Sequence, residues 1–71
     1  LVNLMDGIER DEVASLAKSP RAGLRDLACR VVGYFELKPN LDLILPLVDD
    51  NRAEVRASAI QVLGMLRAKE Y

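Results

Sequence analysis

Arg25 and Arg56 are the residues of this sequence best placed to do chemistry. They occupy the same position in two stretches that say nearly the same thing, RAGLRDLACRVVGYFE at 21–36 and RAEVRASAIQVLGMLR at 52–67. Two guanidinium groups in equivalent places offer planar forks of donors suited to a phosphate or a carboxylate. That chemistry has two uses: capture of an anionic partner, or pairing with the chain's own acids. Asp49 and Asp50 stand close by and the net charge is −1, so internal pairing is the expectation.

The other reactive groups lead to surface and packing roles. Glu9, Asp11 and Glu12, and the run Asp49, Asp50 and Glu54, supply carboxylates. A general acid needs a raised pKa in an apolar cleft, whereas turn acids are well solvated. The second run also lacks the length and alternating spacing of a calcium loop. Helix capping and surface charge are the expected uses. Cys29, the single cysteine, falls opposite Ile60 in the second stretch and reads as a small packing residue. The chain has no histidine, which removes Cys/His and Ser/His catalysis and a His-ligated metal, and one thiol cannot build a zinc site. No catalytic residue, cofactor or metal is expected.

What must position the two arginines is a repeat. Offset by one 31-residue period, residues 10–40 pair with 41–71 without a gap. Identical pairs are Asp11/Asp42, Leu16/Leu47, Arg21/Arg52, Ala22/Ala53, Arg25/Arg56, Ala28/Ala59, Val31/Val62, Gly33/Gly64 and Lys38/Lys69. Two amphipathic helices match by chance at apolar positions, but not also at two arginines, a small alanine and a glycine. Each unit reads as a helical hairpin. In the second, Pro39 stops the chain, Asn40 caps a short helix over 41–48, and Asp49-Asp50-Asn51 forms the turn. A long helix from 52 to about 68 then aligns Val55, Ala59, Val62, Leu63 and Leu66 in one stripe. Pro46 inside the short helix predicts a bend. In the first unit the short helix spans roughly Arg10 to Lys18, Ser19 is the cap, and Pro20 enters the first turn of the long helix. Leu24, Ala28, Val31, Val32 and Phe35 form its stripe. A glycine repeated inside the long helices, at 33 and 64, predicts close backbone approach between units. Leu1, Leu4, Met5 and Ile8 follow helical spacing and read as the tail of a preceding helix. The alternative makes Asp6 an N-cap with Glu9 closing a capping box.

Bulk properties agree with this. The 71 residues make one small domain, near the size at which a single core is marginal. Hydrophobic residues are 51% of the chain but include one Phe, two Tyr and no Trp, so the core must be built from Leu, Val, Ala and Ile. The longest apolar run, Leu43 to Val48, is too short to cross a membrane, and no secretory signal opens the chain. Ten basic residues against eleven acidic ones give little attraction to phosphate backbones or anionic lipid. A lone cysteine fits a reducing, cytoplasmic compartment.

The stretch LDLILPLVDDNRAEVRASAIQVLGML resembles a HEAT repeat, in particular the short variety named after phycobilisome lyase subunits. Pro46, Asp49-Asp50, Val55-Arg56, Ala59, Val62-Leu63 and Gly64 fit that pattern, as do Leu24-Arg25, Ala28, Val31-Val32 and Gly33. The first unit departs from it at Ser15, where Pro46 would fall, and at Lys18-Ser19, where the acidic pair would. The resemblance covers residues 10 to about 69 and is specific for fold rather than activity. It implies an all-α, armadillo-like α-solenoid (an α–α superhelix) piece. Residues 1–9 would be a partial preceding helix, 10–40 the first repeat and 41–71 the second. It also implies an inter-repeat ladder in which Arg56 reaches Asp49 and Asp50, with Arg25 reaching them from the unit before.

A two-helix unit cannot bury its own stripe, so neighbours must stack. The expectation is therefore that the chain belongs to a longer array, or that its bare ends associate with another chain. The expected function is a non-catalytic scaffold module that binds another protein, further repeats of its own chain, or itself. If the long helices line the concave side, as the resemblance implies, Asp26, Arg30, Ser58, Gln61 and Arg67 are the contact residues. Tyr34 and Met65 stand at the edge of the stripe; a half-buried core margin is expected of them, with partner contact the alternative. Two other functions compete: the non-catalytic repeat portion of an enzyme such as a bilin lyase-like subunit, and a helical-repeat nucleic-acid binder. The balanced charge argues against the latter, and no nucleic-acid or membrane partner is expected.

Overall fold

The hydrophobic periods of the sequence fold into helices alone. The computed structural model describes the backbone of residues 2–68 and the side chains of residues 10–67, and no strand occurs among the described residues. Helix α1 spans Val2–Ala17 and α2 spans Ala22–Tyr34. A 3-10 turn over Lys38–Asn40 leads into the single turn of α3, Leu41–Ile44. A 3-10 run over Leu45–Asp49 follows, and then α4, Ala53–Ala68. Helix α2 packs against α1 on one side and α4 on the other, the 3-10 run lies under α4, and α3 contacts α1.

The two units repeat in their backbone bonds as well as their letters. Ser19 N–H donates to Leu16 O at 3.1 Å, and Asp50 N–H to Leu47 O at 3.2 Å. Each long helix then opens in the same way: Leu24 and Arg25 donate to Arg21 O, and Val55 and Arg56 to Arg52 O. The side-chain turns before the long helices correspond too. Ser19 Oγ accepts from Arg21 N–H at 3.1 Å, and Asp50 Oδ2 from Arg52 N–H at 2.9 Å. These side-chain turns satisfy donors that helix starts leave open. Helix α2 therefore begins at Ala22 with Arg21 as its N-cap. Pro20 precedes the helix rather than entering its first turn.

The core is one aliphatic cluster. Val13 from α1, Val32 from α2, Ile44 from α3, and Val55 and Leu66 from α4 are its largest fully enclosed aliphatic side chains. Each fully buried side chain of this size contributes about 1.5–3 kcal/mol. The expected stripe of α4 is buried throughout, as are Ala28 and Val32 of α2, with Val31 half-buried. Leu24 and Phe35 are not: both are exposed, Phe35 at 54%. Because α2 is flanked from two sides, it buries two adjacent columns, Ala28/Val32 and Cys29/Gly33, and its ends stay open.

Three other expectations change. Residues 2–17 form one uninterrupted helix, so Asp6 does not start one and no break separates the preceding segment from Arg10. Leu1, and the side chains of Leu4, Met5, Ile8 and Glu9, lie outside the described residues, as does Lys69. Asn40 makes no capping bond; it is buried, and its Oδ1 accepts from Arg10 instead. At Pro46, which has no N–H to give, the short helix tightens from α into 3-10 geometry. The C-terminus of α2 closes as a Schellman motif. Leu37 N–H donates to Val32 O at 2.9 Å and Glu36 N–H to Gly33 O at 3.3 Å, with Glu36 at φ 54° in the left-handed region.

Candidate functional site: the groove between the two long helices

Helices α2 and α4 run side by side because glycine lets them. A Cβ placed on Gly33 would meet Val62 Cγ2 at 3.0 Å and Met65 Cε at 3.3 Å. That close approach leaves a groove of about 370 Å³ lined by Arg30, Gly33, Tyr34, Gln61, Val62 and Met65. Its floor is backbone and aliphatic carbon. Its rim carries Tyr34, 82% exposed, with Phe35 edge-on to it at 4.9 Å between ring centroids. Tyr34, at the end of α2, is thus not the half-buried core margin expected of it.

One end of the groove is tied shut by polar contacts. Ser58 Oγ donates to Asp26 Oδ1, joining α4 to α2, and Arg30 Nε forms an ion pair with Asp26 Oδ2 at 2.9 Å. Asp26, Arg30, Tyr34, Ser58, Gln61 and Met65 therefore come together on one face. Arg67 does not: it follows Met65 by two positions, which places it about 200° around the helix axis.

The arginines lie elsewhere. Arg25 grips Asp50 with two prongs, Nε to Oδ1 at 2.6 Å and Nη2 to Oδ2 at 3.1 Å. Its Nη2 also reaches Asn51 Oδ1 at 3.2 Å, and Nη1 donates to Ser19 O at 2.9 Å. Both charged side chains are largely enclosed, at 13% and 8% exposure. Arg56 repeats one of these bonds, Nη1 to Asp50 O at 2.8 Å, and reaches the backbone of the turn rather than its carboxylates. Asp49 is exposed and stands outside the network. The inter-unit pair is therefore Arg25 with Asp50.

Arg10 makes a second inter-unit clamp that the sequence did not single out. Its guanidinium donates to Pro39 O, Asn40 Oδ1 and both Asp42 oxygens, the closest at 2.8 Å. This pair is half exposed. Arg10 pairs by period with Leu41, so the repeat gave no hint of it.

The titration behaviour of these groups is that of fixed charges. The hydrogen bond from Arg25 holds the Asp50 carboxyl below its ordinary range against some desolvation, with help from Arg52 N–H. Arg10 does the same for Asp42. Glu54 is lowered by its own backbone N–H and by Arg52. A general acid needs the opposite shift. Burial first, and then Asp26 and Asp50, push the Cys29 thiol up to about 11, which leaves it a protonated packing group. No group of three or more His, Cys, Asp or Glu among the described residues is placed to hold a metal ion. No described helix is long and apolar enough to cross a membrane.

Comparison of the chain with protein-family models, curated proteins and solved structures finds no match.

Proposed function

We propose that this chain is a non-catalytic protein-interaction module of the HEAT-repeat type, two stacked hairpins of an α-solenoid that offer the α2–α4 groove to a partner polypeptide. One observation carries this: the groove has an apolar floor over Gly33, Val62 and Met65 and an exposed aromatic pair at its edge. Tyr, Phe, Met and Arg are the residues that protein interfaces enrich, and methionine adapts to the shape it meets. Arg30 and Gln61 add polar contacts at the rim. The chemistry of Asp50, Asp42, Glu54 and Cys29 supports a structural rather than a catalytic use. Cytoplasmic placement rests on the single free thiol.

The test places a photo-crosslinking side chain at position 34 and, as a control, at Leu45, which is exposed but outside the groove. The expected result is a discrete protein adduct from position 34 alone, abolished by Met65→Asp at unchanged Tm. Equal labelling from both positions would refute the groove. Retardation of DNA or RNA fragments at low salt would point to a nucleic-acid binder instead.

A further inference from the structure

A second cleft shares no residue with the α2–α4 groove. About 270 Å³ in volume, it opens between the end of α1 and the short helix of the second hairpin. Ala17, Lys18, Asp42, Leu43, Pro46 and Leu47 line it. One wall comes from each hairpin. The 31-residue period does not generate the cleft, since Ala17 and Lys18 fall opposite Val48 and Asp49. Ala17 and Leu47 are buried and make its floor, and Leu43 is half-buried. Pro46 stays exposed at the rim, where the chain passes from α into 3-10 geometry. Four apolar residues therefore border a space that packing within the chain leaves unfilled. The rim also carries two charges of opposite sign, and one is already used. Arg10 holds both oxygens of Asp42, at 3.2 and 2.8 Å. The Lys18 ammonium has no hydrogen bond or ion pair among the described residues. Its backbone N–H donates to Ala14 O at 3.2 Å, which keeps the residue on the last turn of α1.

We propose that this cleft binds a short aliphatic carboxylate, its chain lying on Ala17, Leu43 and Leu47 and its carboxylate meeting the Lys18 ammonium. Charge sets the polar end. With Asp42 neutralised by Arg10, an occupant meets one uncompensated cation on a flexible stem beside an aliphatic floor. Size sets the rest. At about 30 Å³ for each water-sized atom, the cleft holds on the order of ten non-hydrogen atoms, the small end of ligand sites. A space of that size encloses a whole small molecule and gives an extended polypeptide little to hold.

The experiment titrates the chain with sodium hexanoate and follows the methyl groups of Ala17, Leu43 and Leu47 by NMR. Saturable shifts at these methyls are expected, with Tyr34 and Met65 unmoved. Hexanol and hexylamine should bind about fivefold more weakly, the worth of one exposed ion pair. Acetate, which lacks the chain, should not saturate. Lys18→Gln should abolish the preference for hexanoate over hexanol and Lys18→Arg should keep it, both at unchanged Tm because this side chain is exposed. Equal affinity for the three hexyl compounds, or a preference undiminished in Lys18→Gln, would overturn the proposal. So would hexanoate shifts confined to the α2–α4 groove, or no saturable shift in the folded chain. Tighter binding of a dipeptide ending in leucine than of hexanoate would overturn it too, since a chain terminus would then be the occupant.

Discussion

Arg25 and Asp50 lie 25 residues apart in the chain and meet through two parallel hydrogen bonds of 2.6 and 3.1 Å. The pair ties the start of α2 to the turn before α4, while Arg52 N–H and Asn51 complete the shell around it. Its geometry is that of a bidentate, charge-assisted contact in a mostly enclosed place, where such pairs matter more than on the surface. The Arg10–Asp42 pair has the same chemistry but is half exposed.

That difference in burial sets the first prediction. Arg25→Gln strands an enclosed carboxylate, whereas Arg10→Gln leaves Asp42 to water. Thermal unfolding is expected to show a clearly larger fall in Tm for Arg25→Gln. Equal falls would mean that the Arg25 pair is solvated in solution.

The same carboxylates set the acid limit of stability. Asp50 and Asp42 have folded pKa values below those of the unfolded chain. Their contribution is therefore present above the unfolded carboxylate value, about 4, and is lost as pH falls through the folded one. Denaturation curves should be flat from neutral pH to about 5 and shift to lower stability below about 4. Asp50→Asn keeps an oxygen for Arg52 N–H but not the charge, so it should be less stable at pH 7 and lose less on acidification.

Gly33 and Gly64 are equivalent in sequence and opposite in surroundings. Alanine at 64 meets nothing within 4 Å and should stabilise the chain by about 1 kcal/mol through helix propensity. Alanine at 33 gains the same propensity but presses on Val62 Cγ2 at 3.0 Å. Val62 is branched and buried and yields little, so the net change there should be zero or destabilising. Urea unfolding of the two variants decides the order.

Cys29 is fully buried with its thiol pushed up to about 11. At pH 8 a disulfide reagent should modify it only as fast as the fold opens, and at once in denaturant. Fast labelling of the native chain would show that α4 does not lie where it covers this side of α2.

Much of this architecture was legible because the 31-residue period carries its physics with it. The side-chain turns from Ser19 and Asp50, and the backbone bonds to Arg21 and Arg52, recur at the same period. Of the seven side chains named as candidate partner contacts, all but Arg67 lie along one surface of α2 and α4. What the sequence hid were the consequences of position within the stack. Leu24 and Phe35 match Val55 and Leu66 in character yet stay exposed, because period alone does not say which ends of a helix are covered. Asn40 has the chemistry of a cap but is claimed by Arg10 across 30 residues. Glu36 holds a left-handed φ that favours glycine, so no turn signal marked the end of α2.

The seam between α2 and α4 is where the fold and the proposed binding surface meet, and proton NMR reads it directly. Strong nuclear Overhauser contacts are expected from the Gly33 Hα protons to the Val62 γ-methyls and the Met65 ε-methyl. A Gly33 without contacts to either residue, in a chain that is helical and folded, would contradict both the stacking of the hairpins and the groove built on it.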